Sequence, residues 1–291
     1  MQAPTFWKTL TSSFPLYTYP PVSSSPLQTA QKEPTLWIHP SNEADALSGD
    51  VECLKWQAYL ALRGLKNIRV RTDVHPQGAI DRRLPNLHVE DDRLLPAHGI
   101  PAWADEKLGP SSSDEQWEGY VSEAAKDESR AWVSLLEGNV HAALVLAQNP
   151  PSLKDTLLEM LSPFPSFTSE SSAITSLRST IVPPPPPATG FLSLLPPIGI
   201  RVDADSVYTK YAQAIQALSD RLSTDKWFLG SENPTPLDAL VFAYLHCILR
   251  SPEPIRPQVT RRVNLVAWEW RVRGLVRSAF TNSNSHTDVQ T

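Results

Sequence analysis

Trp227-Phe228-Leu229-Gly230-Ser231-Glu232-Asn233-Pro234-Thr235-Pro236-Leu237-Asp238 is the stretch that decides how this chain folds. A glycine-containing turn and a polar segment lead into Thr235, and Asp238 follows three residues later. That spacing lets the Thr235 side chain cap the N–H of Asp238 while the Asp238 carboxylate reaches back to the N–H of Thr235. This is a capping box with Asp in place of Glu. Pro236 falls at the first helical position, where its missing donor is harmless. A helix therefore begins here and runs to Leu249. Its apolar region, Leu240 to Leu249, is interrupted by His246 and is too short to span a bilayer.

Helical spacing continues on both sides. Upstream, Val207, Tyr211, Ala214, Ile215, Leu218 and Leu222 mark a helix starting near Ser206. Downstream, apolar residues recur from Val259 to about Phe280, followed by a polar tail at 282–291. Further upstream, Trp117, Tyr120, Ala124, Ala131, Leu135, Leu136, Val140, Ala143, Leu144 and Ala147 predict one long helix or a broken pair. Between these groups, residues 163–204 contain the run Pro183 to Pro187 and read as a polyproline-type insertion. The chain has 28 prolines against 11 glycines, so long stretches must be neither helix nor central strand.

The first third has a different character. Leu36-Trp37-Ile38 predicts a short strand, and a polar loop then leads to Asp50, placed to cap a helix carrying Val51, Leu54, Ala58, Ala61, Leu62 and Leu65. Gly64 is placed to stop that helix. Ile68, Val70 and Val74 alternate with Arg69, Arg71 and Asp73, as in an edge strand with one wet face. Leu84-Pro85-Asn86-Leu87-His88-Val89, the acidic turn Glu90-Asp91-Asp92 and Arg93-Leu94-Leu95 predict an antiparallel hairpin. Strand, helix, strand and hairpin in about 60 residues is the order of a thioredoxin-like domain, in which a proline opening the third strand, here Pro85, is usually cis. The reading is thus a Pro/Ser-rich extended arm at 1–34, a thioredoxin-like domain at 35–110, and an all-helical domain at 111–281.

Composition limits the function. The net charge of −5 argues against coating nucleic-acid phosphates, and two cysteines, Cys53 and Cys247, suffice for neither a disulfide framework nor a cysteine zinc cluster. The first 34 residues carry only Lys8 and Lys32 and are broken by prolines, unlike a signal peptide or transit helix. His88 and His98 flank the hairpin without a third ligand at compatible spacing, so no metal is expected.

The box at Thr235 and Asp238 and the Pro85 strand together resemble the glutathione-transferase fold, whose sixth helix begins with such a box beneath a Phe-Leu-Gly turn. Within that fold, three segments resemble the metaxin family. They are Asp50-Val51-Glu52-Cys53-Leu54-Lys55-Trp56-Gln57-Ala58-Tyr59-Leu60, Trp132-Val133-Ser134-Leu135-Leu136-Glu137-Gly138-Asn139-Val140 and Leu237-Asp238-Ala239-Leu240-Val241-Phe242. The likeness covers about 35–249, apart from the insertion. It implies an α/β plus all-α chain, with a thioredoxin-like domain followed by a glutathione-transferase-like helical domain. It also implies a non-enzymatic peripheral subunit of the mitochondrial outer-membrane sorting and assembly machinery (the SAM complex), on the cytosolic face. Such a subunit acts in protein transport, helping to recognise and insert β-barrel precursor proteins. Its implied partners are a β-barrel core subunit, a second metaxin-like subunit and the precursors, with membrane contact peripheral only and no nucleic acid.

A glutathione transferase needs a Tyr, Ser or Cys just after its first strand and an acid-Ser pair after the hairpin. This chain offers Ser41 and Ser48 near the first, while the hairpin is followed by Pro96-Ala97-His98-Gly99-Ile100, with no such pair. Cys53 lies inside an apolar helical pattern, as an inert core thiol would. No catalytic residue and no cofactor are therefore expected, and Pro85, Thr235 and Asp238 are assigned structural roles. The alternatives are a glutathione-dependent transferase and a cytosolic adaptor on the same fold. Between 256 and 277, six arginines face the single acid Glu269, and Trp268, Trp270, Arg271, Arg273 and Arg277 are the candidate partner-binding residues.

Overall fold

The computed structural model describes residues 33–39, 46–91, 93–109, 119–148 and 203–282. Ser41, Asp92, Trp117, the proline run at 183–187, and nearly all of the arm, the insertion and the tail lie outside the described residues.

The first half is built as the sequence reading expects. Strand β1 (Thr35–Trp37) leads to helix α1 (Val51–Leu62), and β2 (Ile68–Arg71) returns parallel to β1. Asp50 is the N-cap of α1, accepting the Cys53 N–H at 2.9 Å, and Gly64 follows the helix at a positive φ of 89°. Strands β3 (Asn86–His88) and β4 (Leu94–Pro96) form the hairpin, with Asn86 opposite Pro96 and His88 opposite Leu94. The Leu84–Pro85 bond is cis.

Two features depart from the reading. The helical stretch expected from Val259 to Phe280 is broken into α7 (Arg256–Thr260) and α8 (Val263–Arg277), and it ends in a fifth strand, β5 (Phe280–Asn282). That strand pairs parallel to β2, with Ile68 opposite Phe280, giving the order β4-β3-β1-β2-β5. β2 is therefore an inner strand, not an edge. Three residues are too few to show a periodicity, so the tail of the helical pattern concealed the strand.

The rest is helical. After α2 (Ile100–Leu108) come α3 (Glu123–Leu135), one π-helical turn through Leu136–Val140, and α4 (His141–Gln148). The broken pair expected there is thus two helices joined through a wider turn that holds Gly138. Helix α5 spans Ala204–Leu222, starting two residues before the expected Ser206. Helix α6 (Pro236–Arg250) is buried at every position from Leu237 to Ile248. A helix apolar all round must be enclosed, and α6 lies along α1 with α8, α7 and α3 also against it. The two halves thus share one core, and burying twelve consecutive residues of α6 makes that helix the main source of hydrophobic stabilisation joining them.

Candidate functional site

Polar constellations among the described residues occupy this frame. The first lies where β1 ends and α1 begins. Gln57, fully buried on α1, donates to the Ala46 carbonyl at 2.8 Å and accepts the Ser48 N–H at 2.8 Å. The loop before α1 is thereby tied to the helix it precedes. Ser48 Oγ accepts the Asp50 N–H at 3.1 Å, and the Cys247 thiol of α6 donates to the Gly49 carbonyl at 3.3 Å. His39, just after β1, lies close to Asp50 and Cys53, their ligand-type atoms all within 4.8 Å of one another. β3 runs antiparallel to β1 with Asn86 opposite Trp37, so Pro85 stands toward the same sheet end.

Cys53 is fully enclosed. Burial, and then the negative charge of Asp50, pushes its thiol far above the ordinary range, although the His39 N–H and the Ser48 hydroxyl both approach the sulfur. Cys247 is driven up to about 12 by burial first and Asp50 next. Both cysteines are therefore protonated and unreactive at neutral pH. Ser48 is also fully buried.

The second constellation holds the helical half together at the start of α6. Asp238, 0 % exposed, accepts the N–H of Phe228 at 2.9 Å, the N–H of Thr235 at 2.8 Å and the Thr235 hydroxyl at 2.7 Å. The capping box is present, and its carboxylate also anchors the Phe-Leu-Gly turn, where Leu229 and Gly230 have positive φ of 62° and 69°. Burial raises the Asp238 carboxyl to about 6 against the opposing pull of its three donors. Gly119 completes the joint. It has φ +88°, and a Cβ there would stand 3.1 Å from the Pro234 carbonyl oxygen, so only glycine fits without movement.

The residues singled out on α8 separate. Trp268 is buried: its Nε1 donates to the Lys226 carbonyl at 3.1 Å and its ring meets Phe228 edge-on at 5.2 Å. It belongs to the core beneath the turn, not to an outward face. Arg273 pairs at 2.7 Å with Glu269, which is itself 0 % exposed and bonded to buried His246 at 2.6 Å. Burial pushes the Glu269 carboxyl up, but the bonds from His246 and Arg273 outweigh it and hold it below the usual range. Arg271 donates to the Lys226 carbonyl and lies 5.2 Å over the Trp227 ring. Trp270, 72 % exposed, faces outward with Val263, Ala267 and Arg277.

The sequence reading missed the His246–Glu269–Arg273 group and the His39–Asp50–Cys53 group. The first had a signal: a lone histidine in an apolar run and a lone acid among arginines. The second appears only when strand and helix ends are brought together.

The chain has a glutathione-transferase-like fold, a small mixed thioredoxin-like sheet domain followed by helices. The model of the family "Glutathione S-transferase, C-terminal domain" matches residues 211–272, from α5 into α8. Among solved structures, the chain is similar to a GST-like protein from Pseudomonas syringae, at 12 % identity and TM-score 0.48, covering 86 % of this chain and 69 % of that one. It is similar to a glutathione S-transferase from Methylobacillus flagellatus solved with GSH bound, at 14 % identity and TM-score 0.48, covering 86 % and 100 %. It is also similar to a glutathione S-transferase from Xylella fastidiosa, at 15 % identity and TM-score 0.47, covering 85 % and 97 %. No curated protein matches. The family model matched is that of an enzyme domain, which overturns the expectation that the chain is not an enzyme.

Proposed function

We propose that this chain is a glutathione-dependent transferase, taking a thiol peptide of the glutathione class at the sheet end where β1 finishes. The observation that carries the reading is the meeting there of His39, the loop before β3 and the first turn of α1. An extended backbone edge suits a bound peptide, and a helix N-terminus favours negative charge on a thiolate placed over it. The match of 211–272 to a transferase domain supports the same reading. In the reaction the ligand sulfur bonds to an electrophilic carbon, the leaving group departs with the bonding electron pair, and the thiol proton passes to solvent. The segment after the hairpin, Pro96-Ala97-His98-Gly99-Ile100, carries no acid-Ser pair, so the amino end of the ligand is held by other groups. The test is retention of the full chain on immobilised glutathione, elution by free glutathione, and conjugation of an aryl chloride above the rate in buffer. Flow-through of the folded chain together with a rate equal to buffer would sink the proposal.

A second reading, docking to the β-barrel core subunit and a second metaxin-like subunit at the mitochondrial outer membrane, draws on the metaxin-like segments and on exposed Trp270. No described helix is long and apolar enough to cross a membrane, so attachment of the described part would run through such contacts. Purification from mildly solubilised mitochondria should recover a barrel subunit, and Trp270→Ser should reduce that recovery. Recovery of the tagged chain without any barrel subunit refutes this reading.

A further inference from the structure

Three residues with different ligand chemistry converge at the β1–α1 junction: an imidazole from His39, a carboxylate from Asp50 and a sulfur from Cys53. We infer that His39, Asp50 and Cys53 form a binding site for a divalent cation of the zinc class, with a fourth position open to water or substrate. Nitrogen, oxygen and sulfur donors together suit zinc, and three protein ligands plus an open position is the pattern of reactive zinc sites. Ligand atoms on a tetrahedral zinc lie about 3.5 Å apart. Those here lie within 4.8 Å of one another, so closure needs each separation to shorten by no more than about 1.3 Å.

The Cys53 sulfur is fully enclosed beside the Asp50 carboxylate, within the loop that Ser48 and Gln57 tie to α1. Without a cation, the neighbouring Asp50 carboxylate opposes a thiolate. A divalent ion between carboxylate and sulfur reverses that opposition, and binding it releases the thiol proton to solvent. The junction is already braced by Gln57 on the loop before α1 and by the Cys247 contact to Gly49.

The experiment uses the full chain, stripped with a chelator and titrated with Co²⁺. The expected result is one cobalt per chain with a sulfur-to-cobalt charge-transfer band in the near ultraviolet, displaced by Zn²⁺. Cys53→Ser should abolish the band, and Cys247→Ser should keep it. Asp50→Asn preserves the helix cap, because Asn caps as well as Asp, and should weaken cobalt binding at least about ten-fold. If Cys53→Ser does not fold, the Zn²⁺-induced rise in melting temperature, present in the wild type and lost in Asp50→Asn, decides. Absence of a band in the wild-type chain, or a band that needs Cys247 and not Cys53, overturns the inference. Cation binding is read without glutathione, so its failure and that of the transferase reading are separable.

Discussion

Asp238 allows a test in which two opposing effects at one carboxyl are told apart by pH. Its three donors favour the ionised form, while complete burial disfavours it, and burial wins, raising the group from 3.8 to about 6. The folded protein therefore holds the proton more tightly than the unfolded chain does. For a raised carboxyl, the associated stability is fully present below pH 3.8 and is lost as pH climbs through about 6. A shift of this size corresponds to about 3 kcal/mol. The perturbation is Asp238→Asn, which keeps one acceptor oxygen and the shape of the side chain but cannot ionise. Urea unfolding of wild type and variant at pH 4.5, 5.5 and 7.5 gives the difference in stability at each pH, and the titration of every other group cancels in that difference. The variant is expected to be less stable throughout, because Phe228 N–H, Thr235 N–H and the Thr235 hydroxyl then share a single acceptor. Its deficit should be larger at pH 4.5 than at pH 7.5 by about 2 kcal/mol, most of the full shift. A deficit that stays flat, or that grows as pH rises, would mean the donors dominate, and the reasoning from burial would be refuted.

The other predictions use the same core. Thr235→Ala should cost about 1 kcal/mol and add incompletely with Asp238→Ala, because both belong to one box; a double-mutant cycle in urea measures the coupling. Trp268→Ala should cost about 3–5 kcal/mol, since a buried ring against Phe228 is lost, while Trp270→Ala should move stability by less than about 0.5 kcal/mol; thermal melts of the two compare them. Glu269 has the opposite pH sign from Asp238: its folded value is lowered, so its contribution is present above pH 4.5 and drains as pH falls further. Glu269→Gln should remove that acid sensitivity, and equal acid slopes in wild type and variant would contradict it.

The legible parts of the fold were those written in local chemistry. Asp50 before an apolar helical run and the Thr235–Asp238 spacing each specify a helix start through bonds made within three residues. The hairpin from Asn86 to Pro96 announces itself by two short apolar runs around an acidic turn. β5 was not legible, because Phe280–Asn282 gains its strand identity from Ile68–Val70, more than two hundred residues away in sequence. The polar sites follow the same division. The box is local and was found, whereas His39 reaches Cys53 only because β1 and α1 meet at one sheet end.

The arginine-rich helix shows how a charge count misleads until the fold is known. Six arginines around one acid suggest a basic face aimed at a partner. Glu269, however, is the residue that cannot be exposed: it lies inside with His246, and Arg273 bends back to meet it. Arg271 is spent on the Lys226 carbonyl and the Trp227 ring. Replacing Arg273 with glutamate would therefore strike the fold before it struck any partner, since breaking a pair with a buried charge costs about 3–5 kcal/mol. What remains on the outside of α8 is mostly apolar, Val263, Ala267, Trp270 and Leu275, with Arg277 at its end. A partner for this helix, in either functional reading, would be recognised chiefly by apolar area, and its binding should respond weakly to salt.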